Sequence, residues 1–63
     1  MIKPDWSTAP EWAQYWAIDD NGDAYWYGKK PDRGDGEWRS DGNLSEDLDN
    51  RAPFWKESLE KRP

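Results

Sequence analysis

Residues 15–27 read YWAIDDNGDAYWY, two runs of aromatic and small apolar residues separated by a turn signal. Each run alternates with a period of two, which is typical of a β-strand that is covered on both faces. The Asn-Gly pair at the centre favours a tight turn, because both residues tolerate the left-handed backbone conformation. The stretch therefore predicts a β-hairpin.

Two loop lengths fit this hairpin, and each puts different side chains on one face. A three-residue loop of residues 20–22 pairs Trp16 with Trp26, and this register is favoured. A two-residue loop would place Trp16 with the two later tyrosines and leave Trp26 on the opposite face. In the favoured register each face holds four residues: Trp16, Ile18, Ala24 and Trp26 on one, and Tyr15, Ala17, Tyr25 and Tyr27 on the other.

The chain after the hairpin predicts a third strand. Residues 31–36 are rich in Pro, Gly and Asp, as loops are, and residues 37–40 alternate as a short strand. We therefore expect a three-stranded antiparallel meander. Residues 43–50 are acidic with Leu44 and Leu48 four apart, which fits either one amphipathic helical turn or a loop anchored by the two leucines.

Both ends are expected to pack on this sheet. Thr8 and Glu11 have capping-box spacing, which favours one helical turn near the N-terminus. Residues 52–63 carry helix-like spacings, with an extended tail laid over the sheet as the alternative. The expected fold class is a small, mainly-β single domain of residues 1–63: a three-stranded antiparallel meander with a short N-terminal turn and a C-terminal helix or extended segment packed on it.

The core of such a fold is expected to be aromatic. Among the 63 residues are six Trp and three Tyr, whereas aliphatic side chains are few. Each buried ring removes roughly 150 to 250 Å² from water, so a few side chains carry most of the burial. The six tryptophans and the tyrosines are therefore the predicted core, and a chain this short is expected to be marginally stable.

The missing residue types exclude most catalytic and cofactor chemistry. The sequence contains no Cys and no His. Without them there is no disulfide, no thiolate nucleophile and none of the usual ligands of zinc, haem or iron–sulfur clusters. There is also no Ser-His-Asp arrangement and no side chain that titrates near neutrality without a shift. We therefore expect a protein that is not an enzyme and that holds no cofactor.

Two short motifs suggest ligands but have simpler explanations. Residues 19–23 are rich in Asp, yet the EF-hand pattern needs Gly sixth and Glu twelfth, whereas Gly22 is fourth and Lys30 twelfth. A hairpin turn is the better interpretation, and no metal site is expected. Residues 33–35 spell the adhesion tripeptide Arg-Gly-Asp. A match of three residues in a Cys-free chain is attributed to chance.

Aromatic and acidic side chains form the candidate binding surface. The tyrosines opposite the tryptophan face can pack or stack against a partner, with covering the core as the competing role. The net charge of -5 repels phosphates, so direct nucleic-acid binding is not expected. A rigid aromatic surface rimmed by charge instead suits protein recognition. The candidate partner-binding residues are Tyr15, Tyr25, Tyr27, Asp32, Asp35 and Glu37.

The aromatic spacing resembles that of a WW domain, which binds Pro-rich peptides. Trp16 and Trp38 stand 22 residues apart, with Tyr-Trp-Tyr at residues 25–27 between them. The chain departs from the pattern because no His follows the aromatic strand and Asp41 stands where the closing Pro falls. This resemblance implies the alternative function, a WW-like peptide- or carbohydrate-binding module that uses exposed aromatic rings.

The two ends resemble small Trp-rich proteins of tailed bacteriophages and prophages. The stretch DWSTAPEWA covers residues 5–13, and WKESLEKRP covers residues 55–63. The resemblance spans nearly the whole chain. It implies a viral origin and action in the cytoplasm of an infected bacterium, and it assigns no catalytic or binding residue. The short apolar stretches and the polar N-terminus likewise predict neither a membrane span nor export.

These features predict a small non-enzymatic phage accessory protein that binds a host or phage protein. Inhibition of a defence or nucleic-acid-processing enzyme is one form of such binding, because acidic side chains imitate nucleic-acid phosphates. No membrane partner is expected, and the oligomeric state is left open.

Overall fold

The chain forms short strands and single helical turns. In the computed structural model, residues 3–47 and 52–63 are described. The elements in chain order are a 3₁₀ turn at Trp6–Thr8, β1 at Tyr15–Ile18, β2 at Asp23–Tyr27, β3 at Asp32–Arg33, β4 at Trp38–Arg39, β5 at Gly42–Asp47, a second 3₁₀ turn at Trp55–Glu57 and β6 at Glu60–Lys61. All strand pairs are antiparallel, which confirms the expected small, mainly-β class.

The central hairpin has the favoured register. Trp16 lies opposite Trp26 across β1 and β2. The N–H of Asp19 donates to the carbonyl oxygen of Asp23 at 2.8 Å, so the loop between them contains three residues. Gly22 has a φ of 97°, a conformation that glycine adopts without steric cost. The prediction of a three-residue loop is therefore confirmed.

The expected three-stranded meander is wrong. The structure has a four-stranded sheet in the order β5-β2-β1-β6 and a separate two-stranded sheet of β3 and β4. The predicted third strand, residues 37–40, does contain β4, but the Gly34 N–H donates to the Glu37 carbonyl oxygen at 2.7 Å and turns β4 back onto β3. Trp38 therefore lies outside the main sheet, so the WW-like three-stranded architecture is absent as well.

The acidic segment after Asp41 forms a strand of the main sheet that was not predicted. Over Gly42–Asp47 it is neither a helical turn nor a loop but strand β5, paired with β2. The register shifts between Ala24 and Tyr25, which leaves Ser45 as an extra residue in a β-bulge. Leu48, the second of the two predicted leucine anchors, lies outside the described residues.

The ends contain less helix than predicted. The first 3₁₀ turn is capped by Asp5, whose side chain accepts the N–H of Ser7 at 3.1 Å, so the expected capping box of Thr8 and Glu11 is not used. At the C-terminus the helical alternative is reduced to one 3₁₀ turn, and the extended alternative holds at β6.

Arg62 fastens the two ends to each other. Its guanidinium donates to the carbonyl oxygen of Ala13 at 2.6 Å and lies 5.7 Å from the ring centroid of Trp6. Trp6 in turn packs on Trp26, with 5.1 Å between ring centroids. The segments around Trp6 and Arg62 are thereby held against the tryptophan face of the sheet.

The core lies on that tryptophan face. It combines the inward side chains of the hairpin with residues from the flanking segments, and Trp38 meets Trp55 edge to face at 6.1 Å. The buried members of the core are Ala13, Trp16, Ile18, Ala24, Trp26, Ala52 and Trp55. Trp12, which was predicted to belong to the core, is instead 44% exposed.

Trp38 ties the small sheet to the large one. Its backbone N–H donates to the Asp19 carboxylate at 2.9 Å, and its indole N–H donates to the carbonyl oxygen of Ile18 at 3.1 Å. A further backbone bond runs from Asp20 to Gly36 at 2.9 Å. The β3–β4 hairpin is therefore docked at the end of β1 next to the β1–β2 loop.

Candidate protein-binding surface

The second face of the main sheet carries the tyrosines. β1 and β2 place them opposite the tryptophan core, as predicted, and β5 extends the face because Leu44 lies opposite Tyr25 and Gly42 opposite Tyr27. Directly opposed residues of an antiparallel pair point to the same side of the sheet. We call this surface the tyrosine face; it consists of Tyr15, Ala17, Tyr25, Tyr27, Gly42 and Leu44.

Only part of the tyrosine face is accessible. Leu44 is 58% exposed, and Tyr15 and Tyr25 are half-buried. Tyr27 is only 2% exposed, so the structure corrects its assignment as a partner-contacting residue. The Tyr27 ring lies 6.2 Å from that of Tyr25, within the range of an aromatic pair. The accessible apolar part therefore comprises Tyr15, Tyr25 and Leu44.

Tyr27 is fixed in place by a close approach to β5. A Cβ on Gly42 would lie 2.5 Å from Cε1 of the Tyr27 ring, so the ring occupies the space above this glycine. Burial, followed by the nearby charge of Asp19, raises the pKa of Tyr27 well above its usual value. The phenol is thus neutral, and its ring packs against Gly42 of β5.

The predicted acidic residues lie in the other sheet. Asp32 and Asp35 are exposed in the β3–β4 hairpin, and Glu37 forms a salt bridge of 3.0 Å with Arg39. The structure therefore does not bring these three acids into the four-stranded sheet with the tyrosines. Basic side chains lie near these acids. Two arginines of the hairpin and Lys56 line an open polar cavity of about 690 Å³ next to Asp35.

Exposed acids lie instead along β5, at the edge of the sheet, and we call them the acidic rim. Glu46 lies opposite Ala24, so its side chain is on the tryptophan side of this strand and not on the tyrosine face. Residues 41–47 contain three acids and no base. Of these, Asp41 and Glu46 are exposed. Sequence reasoning missed Leu44 as a surface residue because Asn, Ser, Asp and Glu around it disfavour a strand. The Asp41-Gly42 turn pair gave no signal for this strand, because β5 pairs with β2 and not with the preceding β4.

The exposure of Trp12 was not predicted either. Trp12 lines an open cavity of about 570 Å³ together with polar residues of two other segments, among them Lys29, Asp41 and Asn43. The ring lies against Gly28, where a Cβ would be 3.7 Å from the indole. No periodic pattern in the sequence separates Trp12 from the buried tryptophans.

Asp19 carries a perturbed carboxyl group at the junction of the two sheets. Burial raises its pKa above the usual 3.8, and the neighbouring charges of Glu37, Asp23 and Asp20 act in the same direction. The hydrogen bond from the Trp38 N–H opposes this shift. Because Asp19 follows β1 and its carboxylate accepts the N–H of Trp38 in β4, the group connects the two sheets.

Comparison with known protein families, curated proteins and solved structures gives no match to this chain. Within residues 3–47 and 52–63, no group of three or more side chains is placed to hold a metal ion. The same residues include no helix with the length and apolar character needed to cross a membrane. Function is therefore inferred from the tyrosine face and its surroundings.

Proposed function

We propose that this chain is a small, non-enzymatic bacteriophage or prophage accessory protein that binds a host or phage protein through the tyrosine face. The observation that carries the proposal is the pair formed by Leu44 and Tyr25. Leu44 leaves 58% of its surface in water directly opposite Tyr25, on a strand framed by exposed acids. Burying such a pair under a partner removes apolar surface from water at about 25 cal/mol per Å².

The ordering of Tyr25 in the free protein also supports binding through the tyrosine face. Tyr25 is half-buried and pairs with the ring of buried Tyr27, so its side chain is partly ordered before a partner binds. Ordering each flexible side chain at an interface costs about 0.5 to 1.5 kcal/mol. A side chain that is already partly ordered avoids part of that cost, which favours recognition of a partner over a role as cover.

The phage origin and the cytoplasmic site of action are proposed from the resemblance of the two ends. Residues 5–13 and 55–63 contain the side chains that join the termini, such as Trp6 and Arg62. These side chains stabilise the fold. The resemblance therefore supports a phage origin, and the binding residues are proposed separately, on the tyrosine face. Inhibition of a defence or nucleic-acid-processing enzyme is the form of binding that the acidic rim favours.

Affinity capture from lysate of phage-infected bacteria tests the proposal. We expect the wild-type chain to capture a partner that Leu44→Ser fails to capture. Trp12→Ser is the matched control, because it also removes an exposed apolar side chain but at a different place. Equal capture by Leu44→Ser, or no specific capture by the wild type, would refute binding through the tyrosine face.

A salt series distinguishes the inhibitory form from simple apolar docking. Exposed charges are screened beyond about 10 Å at 0.1 M salt. Steep loss of the captured partner between low and moderate salt supports recognition by the acidic rim. Retention at high salt supports an apolar contact and counts against an inhibitor that imitates phosphates.

A second candidate function is a carbohydrate- or peptide-binding module at Trp12. The observation in its favour is the exposed indole in the open cavity of about 570 Å³, with Lys29 and Asn43 available as hydrogen-bonding partners. A flat apolar ring beside a few polar groups is the usual composition of a small-ligand site. Titration with soluble glycans and Pro-rich peptides is expected to change the tryptophan fluorescence of the wild type but not of Trp12→Leu. A flat response to both ligand classes removes this candidate.

A further inference from the structure

β5 is an edge of the main sheet. It pairs with β2 on one side, and among the described residues no strand pairs with its other side. An unpaired strand edge exposes N–H and C=O groups that are ready to bond another chain. The opposite edge is less suited to such pairing, because β6 has two residues and is closely followed by Pro63, which has no N–H.

The register shows which backbone groups of β5 face outward. The bond from Asp19 to Asp23 means that the odd-numbered residues of β2 direct their backbone groups to β1. Tyr25 is one of these, and it lies opposite Leu44. The N–H and C=O of Leu44 are consequently directed away from β2, to the same edge where its side chain is exposed.

The charge of this edge selects the occupant. Residues 41–47 have three acids and no base, so a second copy of the strand would bring like charges together. Directly opposed like charges destabilise a strand pair, whereas opposite charges contribute roughly 0.2 to 1 kcal/mol. The bulge at Ser45 also bends the strand, which discourages continuous pairing with a flat edge beyond this residue. A basic strand avoids the charge repulsion, because its cations would face the exposed Asp41 and Glu46, and it can pair at Leu44 before the bulge.

We propose that the edge of β5 accepts an extended, lysine- or arginine-rich segment of the partner protein as an additional strand of the sheet. The segment exchanges backbone hydrogen bonds with Leu44, and its cations lie near Asp41 and Glu46. Its apolar side chains on the tyrosine face pack on Leu44 and Tyr25. This inference rests on the proposed protein-binding function and specifies how the partner is recognised.

The probe is a synthetic peptide, Lys-Val-Arg-Val-Lys-Val-Arg, titrated into the ¹⁵N-labelled chain and followed by NMR. We expect shift changes concentrated at residues 42–46 and slower hydrogen exchange of the Leu44 amide in the bound state. Two control peptides have the same length: one with Glu at every basic position, and one with alternate backbone amides N-methylated on the side that pairs. Both are expected to bind on the order of tenfold or more weakly, since they lose charge complementarity or backbone bonds.

Variants of Leu44 separate backbone pairing from side-chain contact. Leu44→Ala keeps the outward N–H and loses only the side chain, whereas Leu44→Pro removes both without taking a bond from β2. We expect weaker peptide binding by Leu44→Ala and none by Leu44→Pro. If Leu44→Pro does not fold, the N-methylated peptide answers the same question with the wild-type chain.

The outcomes distinguish this inference from the proposed function. Equal binding of the N-methylated peptide, or shift changes away from β5, overturns strand addition. If the basic peptide fails to bind while Leu44-dependent capture from lysate persists, the tyrosine face binds proteins by another mode and only this inference fails. If capture does not depend on Leu44, the proposed function fails as well.

Discussion

The hydroxyl of Ser58, two residues before β6, continues the hydrogen bonding along β1 where β6 has not yet begun. It accepts the N–H of Ile18 at 2.9 Å and donates to the carbonyl oxygen of Trp55 at 2.7 Å. Ser58 is 2% exposed, and Ile18 is fully buried. A side chain 40 positions away in the sequence thus replaces the strand partner that the two-residue β6 does not supply.

Ser58→Ala is therefore expected to destabilise the fold. It leaves the buried N–H of Ile18 without its acceptor, and an unsatisfied buried donor costs about 1 to 3 kcal/mol. Ser40→Ala, at an exposed position, is the control. Urea denaturation monitored by tryptophan fluorescence measures both. Equal midpoints for the two variants would show that water replaces the Ser58 hydroxyl.

Substitutions on the tryptophan face are expected to destabilise the fold much more than substitution of the exposed Trp12. Trp16 and Trp26 are 2% and 6% exposed, and replacing either by Ala costs about 3 to 5 kcal/mol. A single core in so small a domain rarely supplies more than about 3 to 5 kcal/mol in total. Thermal unfolding by circular dichroism should therefore lose its cooperative transition in Trp16→Ala, while Trp12→Ala keeps it. A cooperative transition in Trp16→Ala would place the core elsewhere.

The hairpin could be predicted because its determinants are local. The alternation of residues 15–27 and the turn chemistry at Gly22 act within a few residues and agree with each other. β4 was also predicted as a strand, but its partner was not. The bond between Gly34 and Glu37 selects β3 over β2, and this competition between turns is not visible in residue patterns.

β5 could not be predicted, because its own residues do not favour a strand. Ala24 and Trp26 leave backbone groups unpaired on the far side of β2, and Gly42–Asp47 satisfies them despite its composition. For the same reason, the candidate site could be predicted only in part. Tyr15 and Tyr25 were identified from alternation within the hairpin, whereas Leu44 belongs to the surface only through the long-range pairing of β5.

Asp19→Asn is expected to change how stability depends on pH. Burial and the neighbouring acids raise the pKa of Asp19 above 3.8, so the folded state holds this proton more tightly than the unfolded chain. The stability contributed by the protonated group is complete below pH 3.8 and is lost as pH rises through the raised pKa. The amide of Asn still accepts the N–H of Trp38 and carries no charge to desolvate.

The measurement is urea denaturation of both chains from about pH 3 to about pH 7. The wild type should lose stability relative to Asp19→Asn as pH rises above 3.8. Asp32→Asn is the control for a change of net charge, because Asp32 is exposed in the separate hairpin. Parallel curves for wild type and Asp19→Asn would show that the Trp38 hydrogen bond outweighs burial of the carboxylate.

Gly42→Ala tests whether the tyrosine face is supported from beneath. The new Cβ would lie 2.5 Å from the ring of Tyr27, which is buried and cannot swing into solvent, so ring and strand must separate. Overpacking of this kind costs about 1 to 3 kcal/mol. Gly28→Ala is the matched control, since its Cβ would be in ordinary contact at 3.6 Å from the Trp12 carbonyl oxygen. We expect a lower urea midpoint for Gly42→Ala than for Gly28→Ala, with Tyr25 and Leu44 shifted in NMR spectra. Equal midpoints would mean that the Tyr27 ring moves freely. The prior ordering of Tyr25, which favours partner binding, would then be absent.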